Sequence, residues 1–242
     1  MYLVAHYLCL VYFILHTYDV LCRRMAHSST EGGCRPCEAA STTTRVCILG
    51  HSYVRRLGEF MESQQEYGNL GLSRDQVVVE CIGIGGATVC PGNKCIRQQL
   101  GHVSSIQPAV VFVHMGENDL RSSSHGRADQ VVANLSGLLG VLSQQCQIIY
   151  VGQLLPFPAT PANWPVVVEV NNSLQAAYQG SQTIHYWRHH GFWNQPVSLV
   201  PGEQQGVFDQ DGIHLSQKGQ KRYWHNVRAA VRTGLKKVGY SV

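Results

Sequence analysis

The chain has 242 residues, 44% apolar and 14% charged, a globular balance that excludes an intrinsically disordered chain. That length holds one large α/β domain with a short extra segment. The formal net charge of +4 is mild but uneven, because residues 216–242 carry seven Lys or Arg and no Asp or Glu.

Residues 2–22 are largely apolar and long enough for a membrane span or an uncleaved anchor. Against insertion, no basic residue precedes the run, and His6, His16 and Asp19 interrupt it. Segment 1–24 is thus either a signal or anchor, implying a secreted or membrane protein, or an ordinary N-terminus on a cytoplasmic one. Residues 25–44, rich in Ser, Thr, Gly and Cys, have the composition of a linker. They include Cys34-Arg-Pro-Cys37, a C-x-x-C with no second pair or histidine at zinc spacing, so no metal site is expected there. Cys47, Cys81 and Cys146 fall in or beside predicted strands and read as buried thiols. Cys90 and Cys95 could close a small loop under oxidising conditions, but the nine cysteines build no disulfide framework.

From Arg45 onward strands alternate with helices. Arg45–Leu49 is a short apolar run with β-branched Val46 and Ile48, stopped by Gly50. Val54, Leu57, Phe60 and Met61 then recur at helical spacing, which places Ser52 where a strand turns into a helix. A second strand is predicted at Gln76–Ile82, ending in Gly83-Ile84-Gly85-Gly86, and Ile96, Leu100 and Val103 fit a following helix. Ala109–His114 is a third strand, stopped by Met115-Gly116-Glu117-Asn118-Asp119. Val131, Leu135, Leu138, Leu139 and Leu142 mark an amphipathic helix before a fourth strand, Gln147–Val151. A Pro-rich loop leads to a helix over Val166–Gln179 and a fifth strand at Thr183–Trp187. The last helix is predicted from Ser216 to about Val238.

Such alternation implies an α/β domain, a parallel sheet with helices on both faces. Ligands of these sheets bind beyond the carboxyl ends of the strands. Ser52, Gly86 and Asn118 follow the first three strands and therefore converge on that edge. A serine hydroxyl beside the free N–H groups of a helix start has part of the equipment for acyl transfer. Near the C-terminus, Asp211-Gly-Ile-His214 places a carboxylate three residues before a histidine, where it can fix the imidazole tautomer.

Gly50-x-Ser52, Gly86 after strand two, Gly116-x-Asn118-Asp119 after strand three and Asp211-x-x-His214 resemble the ordered blocks of the SGNH (GDSL-type) hydrolase family over about residues 45–238. That resemblance implies a three-layer α/β/α, flavodoxin-like domain at residues 45–242, with a parallel five-stranded sheet in the order 2-1-3-4-5. It also implies a serine hydrolase cleaving an acyl or acetyl ester without cofactor or metal. Ser52 would be the nucleophile, His214 the base and then the acid, and Asp211 its orienter. The backbone N–H groups of Ser52 and Gly86 and the amide of Asn118 would hold the oxyanion. The expected partner is a small-molecule, carbohydrate or lipid acyl ester, with a membrane involved only through residues 2–22.

His51 stands where that family usually has Asp. We expect it to support the serine loop together with Asp119, its side chain pointing away from Ser52 and toward Asn118 or, on charge grounds, Asp119. On that basis His51→Asp should keep or raise activity. Trp187, Phe192 and Trp193 are expected to shape the substrate pocket.

The alternative is a catalytically weak or inactive SGNH-like binding module of retroelement origin, since domains resembling this one also occur attached to retroelement proteins, an association that raises nucleic-acid proximity. In the last helix, Lys218, Lys221, Arg222, Arg228, Arg232 and Lys236 form one arc beside Trp224, Val227, Val231, Leu235 and Val238. This reads as a solvated face of an amphipathic helix, and nucleic acid is not an expected partner.

Overall fold

A computed structural model describes residues 43–121, 128–193 and 206–240. The expected segment 1–24, the linker up to residue 42 and Cys34-Arg-Pro-Cys37 lie outside the described residues. Among the described residues no helix is long and apolar enough to cross a membrane.

Five strands form at the predicted β-branched runs: β1 (Thr44–Gly50), β2 (Val77–Gly83), β3 (Val110–His114), β4 (Ile148–Gly152) and β5 (Ile184–Trp187). They make one parallel sheet in the order β2-β1-β3-β4-β5, as expected. The principal helices are α1 (Ser52–Ser63), α2 (Leu100–Ile106), α3 (Glu117–Arg121), α4 (Ala128–Leu142), α5 (Trp164–Ala177) and α6 (Gln217–Lys237).

The central strands are apolar on both faces because both are covered. Val46 and Ile48 of β1, Val110 and Phe112 of β3, and Ile148 and Tyr150 of β4 pack with α1 and α6. The intervening Cys47 and Leu49, Val111 and Val113, and Ile149 and Val151 pack with α2, α4 and α5. Each of these aliphatic side chains, removed from water, contributes about 1.5–3 kcal/mol.

Register sets the ends level. Gly50 at the end of β1 pairs with Gly83 of β2 on one side and with His114 of β3 on the other. The loops after these strands therefore open at one height. Gly83 is required by proximity: a Cβ there would fall 2.1 Å from the Arg55 amide nitrogen of α1.

Three expectations change. Cys90 and Cys95 are free, buried thiols and close no loop. Phe192 is 2% exposed and packs in the core, with its ring 6.4 Å from that of Phe208, so it does not line a pocket. The cationic arc of α6 is partly used within the fold. Arg222 donates to the Gly191 carbonyl, and Arg228 Nε donates to the Leu70 carbonyl at 2.8 Å while lying over Trp224.

Gly83→Ala should lower stability by about 2 kcal/mol or more, since neither backbone can yield without moving α1 off the sheet. Urea unfolding reads this, and an unchanged midpoint would refute the close approach.

Candidate active site

β1 delivers the chain to His51, the N-cap of α1, whose Nδ1 accepts the Tyr53 N–H at 3.4 Å. Ser52 follows as the first helical residue and is 9% exposed. Its N–H lies in the first turn, where helical amides have no partner within the helix.

The Asp211–His214 segment forms a tight loop before α6. Asp209 N–H donates to the His214 carbonyl at 2.7 Å, and Phe208 bridges Leu215. Asp211 Oδ1 accepts the N–H groups of Ile213 and His214, both at 2.8 Å, while Oδ2 meets His214 Nδ1 at 2.5 Å. Partial burial raises the Asp211 carboxyl, but the hydrogen bonds from the His214 amide and ring and the Ile213 amide outweigh it and hold it at about 2. An ionised Asp211 takes the Nδ1 hydrogen, leaving His214 Nε2 free to accept a proton.

Tyr53 ties this loop to the helix that begins at Ser52. Its phenol, fully buried, donates to the Ile213 carbonyl at 2.7 Å, one residue before His214. Even so, among the described residues the hydrogen-bond contact of Ser52 Oγ is His51 Nδ1 at 3.4 Å, not His214.

Gly86 sits in the turn after β2 with φ +75°, a conformation glycine adopts without strain. Asn118 lies in α3 and donates through Nδ2 to the Ala87 carbonyl at 2.9 Å, joining the second and third loops. An amide nitrogen carries two hydrogens, so a second N–H of Asn118 is available. Asp119, fully buried, accepts the N–H groups of Val89 at 3.0 Å and Cys90 at 2.9 Å and braces the Gly86 loop from beneath.

His51 does not reach Asn118 or Asp119. Its Nε2 meets Glu117 Oε2 at 2.8 Å, and the other carboxylate oxygen takes His114 Nε2 at 2.7 Å and the Leu155 N–H at 3.0 Å. His114 Nδ1 in turn lies 2.7 Å from the Tyr223 hydroxyl. The expected Asp119 partnership fails because both oxygens of Asp119 are already held by backbone amides. Nor does the ring turn fully away from Ser52, since the N-cap geometry swings Nδ1 back over the first turn.

The sequence pattern of the GDSL-like lipase/acylhydrolase family matches residues 41–222. The chain belongs to that family. No curated protein matches it. Solved structures of similar fold include an acetyl xylan esterase, AlAXEase, at 18% identity and TM-score 0.61, covering 77% of this chain and 99% of that one. A lipase/acylhydrolase from Enterococcus faecalis is 15% identical with TM-score 0.57, covering 79% and 96%. A GDSL-like lipase from Bacteroides thetaiotaomicron is 17% identical with TM-score 0.55, covering 79% and 89%. Family membership places the chain among ester-cleaving hydrolases.

For this GDSL-like hydrolase, sequence reasoning missed Tyr53, His114, Glu117 and Tyr223. A signal existed for two of them: His114 ends an otherwise apolar strand, and Glu117 follows three residues later. Burial raises Glu117, but His114 and His51 beside it hold its carboxyl well below the ordinary range. His51, His114 and Glu117 place ligand-type atoms within 4.8 Å of one another. Those atoms are already paired with each other and with the Leu155 amide, which is a closed hydrogen-bond network rather than a metal cage. Burial pushes the Cys81 and Cys146 thiols up to about 12, so neither is a thiolate nucleophile.

Aspartate at 51 would face Glu117 with a second buried carboxylate, so the expectation for His51→Asp reverses. It should cost about 3 kcal/mol or more, read by chemical unfolding, because two buried anions replace a bonded pair. Glu117 also predicts acid sensitivity. Its folded value is lowered, so its contribution is complete above the ordinary carboxyl value of 4.5 and is lost as pH falls through the folded value. Glu117→Gln should flatten the decline in melting temperature as pH falls below about 4.5; an equally steep decline would refute it.

Proposed function

We propose that this chain is a serine esterase cleaving an acyl or acetyl ester through Ser52, His214 and Asp211. The observation that carries this reading is the Tyr53 hydroxyl's bond to the Ile213 carbonyl, which ties the Asp211–His214 pair to the helix that begins at Ser52. In the reaction, His214 Nε2 takes the Ser52 hydroxyl proton as Oγ attacks the ester carbonyl, and Asp211 steadies the imidazolium that results. The oxyanion would be met by the N–H groups of Ser52 and Gly86 and the free N–H of Asn118, each worth about 3 kcal/mol. His214 then returns the proton to the departing alcohol, and water releases the acyl group by the same route.

Asp119 and the Ala87–Asn118 bond support the reading by holding the Gly86 loop and α3 in fixed relation, so the donors need no reorganisation. An acyl ester of a carbohydrate, lipid or other small molecule is the substrate class, in keeping with the acetyl xylan esterase and the lipase of similar fold. We assign the hydrolase unit to residues 45–242, after a linker at 25–44 and an apolar segment at 1–24 that is either a signal or anchor or an ordinary N-terminus. The absent Ser52–His214 bond favours a second reading, a catalytically inactive SGNH-like module.

A fluorophosphonate probe separates the two. The wild type should be labelled and Ser52→Ala should not; an unlabelled wild type supports the inactive module. On a short-chain alkyl ester, Ser52→Ala or His214→Ala should each lower kcat/KM by about 10,000-fold, and the double variant should be little worse than either. Losses that multiply would show that the two residues do not act as one unit.

A further inference from the structure

The nucleophile has a second histidine behind it. The Tyr53 N–H can only donate, so the His51 Nδ1 it meets must carry a lone pair. An ionised Glu117 can only accept, so His51 Nε2 must carry hydrogen. Both constraints select one tautomer of the neutral ring. Its Nδ1 lone pair is then shared between the Tyr53 amide and Ser52 Oγ, each 3.4 Å away. The carboxylate is held in turn by His114 and the Leu155 amide, and His114 by the Tyr223 phenol, which burial and the neighbouring Glu117 keep neutral. Hydroxyl, imidazole and carboxylate are thus connected in a line, at 3.4 and 2.8 Å, inside the protein.

We propose that His51, oriented by Glu117, is a second acceptor for the Ser52 hydroxyl proton and can activate the nucleophile when His214 does not. This rests on the reading of Ser52 as nucleophile. The proton passes from Ser52 Oγ to His51 Nδ1, leaving an alkoxide and an imidazolium paired with the Glu117 carboxylate. The freed Oγ electron pair bonds to the electrophile, and the leaving group departs with its own bonding pair. The 3.4 Å separation is long for a hydrogen bond, so the hydroxyl must approach by about half an ångström. Taking the proton also costs His51 Nδ1 the bond it accepts from the Tyr53 amide, which makes His51 the weaker of the two bases. His51 is only 2% exposed and cannot reach a leaving group on the solvent side. An alkoxide leaving group, which needs a proton, therefore still requires His214. Fluoride does not. His51 is in this sense a catalytic residue, and Glu117 is a positioning residue acting through it.

The test compares fluorophosphonate labelling rates in the full chain. His214→Ala should still be labelled, about a hundredfold more slowly than the wild type, while its alkyl-ester turnover is lost. His51→Asn keeps an acceptor for the Tyr53 amide but has no base. Alone it should slow labelling by roughly tenfold or less, because His214 takes the proton. In the His214→Ala background it should remove the residual labelling, a loss of more than tenfold beyond its effect alone. Glu117→Gln, which keeps the shape and removes the charge, should do the same in that background to a smaller degree. A role confined to folding would slow labelling by the same factor in both backgrounds. Circular dichroism reports whether each variant is folded; should His51→Asn be unfolded, Glu117→Gln decides. The proposal is overturned if folded His214→Ala labels no faster than Ser52→Ala, or if its residual labelling ignores both substitutions. Failure of the wild type to label would instead refute Ser52 as nucleophile.

Discussion

A carboxylate with no exposed surface lies just past the carboxyl end of β3, and the residues around it are arranged to keep it charged. Leaving Glu117 ionised in an apolar interior costs several kcal/mol unless every lone pair facing the protein is met. His51, His114 and Leu155 meet them from β1's exit, from β3 and from the loop after β4. Because each donor comes from a different part of the sheet edge, the carboxylate fixes how those parts sit relative to one another. Removing it would loosen the N-cap of α1, and with it the position of Ser52.

The same arrangement explains how a histidine can stand directly before the serine. The ring caps α1 through Nδ1 and grips the interior through Nε2, two tasks at opposite corners of one imidazole. His189 lies against this cluster, stacked 4.9 Å from His114, and burial together with His114 lowers its affinity for a proton. A neutral ring there adds packing without adding a charge beside Glu117.

On the solvent side the construction is looser. Asp211 and His214 are partly exposed, and their loop is joined to α1 through the Tyr53 phenol. A rigid interior behind the serine and a partly exposed pair in front of it divide the work. The interior sets where Ser52 stands, and the outer pair meets solvent.

Much of the fold was legible because its causes are local. β-Branched runs, glycine stops and helical spacing located five strands and the helices between them, and the four motif blocks identified the family and the strand order. Asp211 and His214 are close in sequence, so their pairing followed from spacing. The partner of His51 was not legible, since it depends on which loop lies opposite once Gly50 pairs with His114, 64 residues away. Charge alone favoured Asp119, but the turn after β3 commits that side chain to the Val89 and Cys90 amides and points Glu117 inward instead. Phe192 likewise read as a pocket aromatic until packing against Phe208 placed it in the core. Sequence by itself determined the elements, their order and the residue types available for acyl chemistry; only tertiary structure decided which buried charge faces which donor, because that choice is made by register and packing across the sheet.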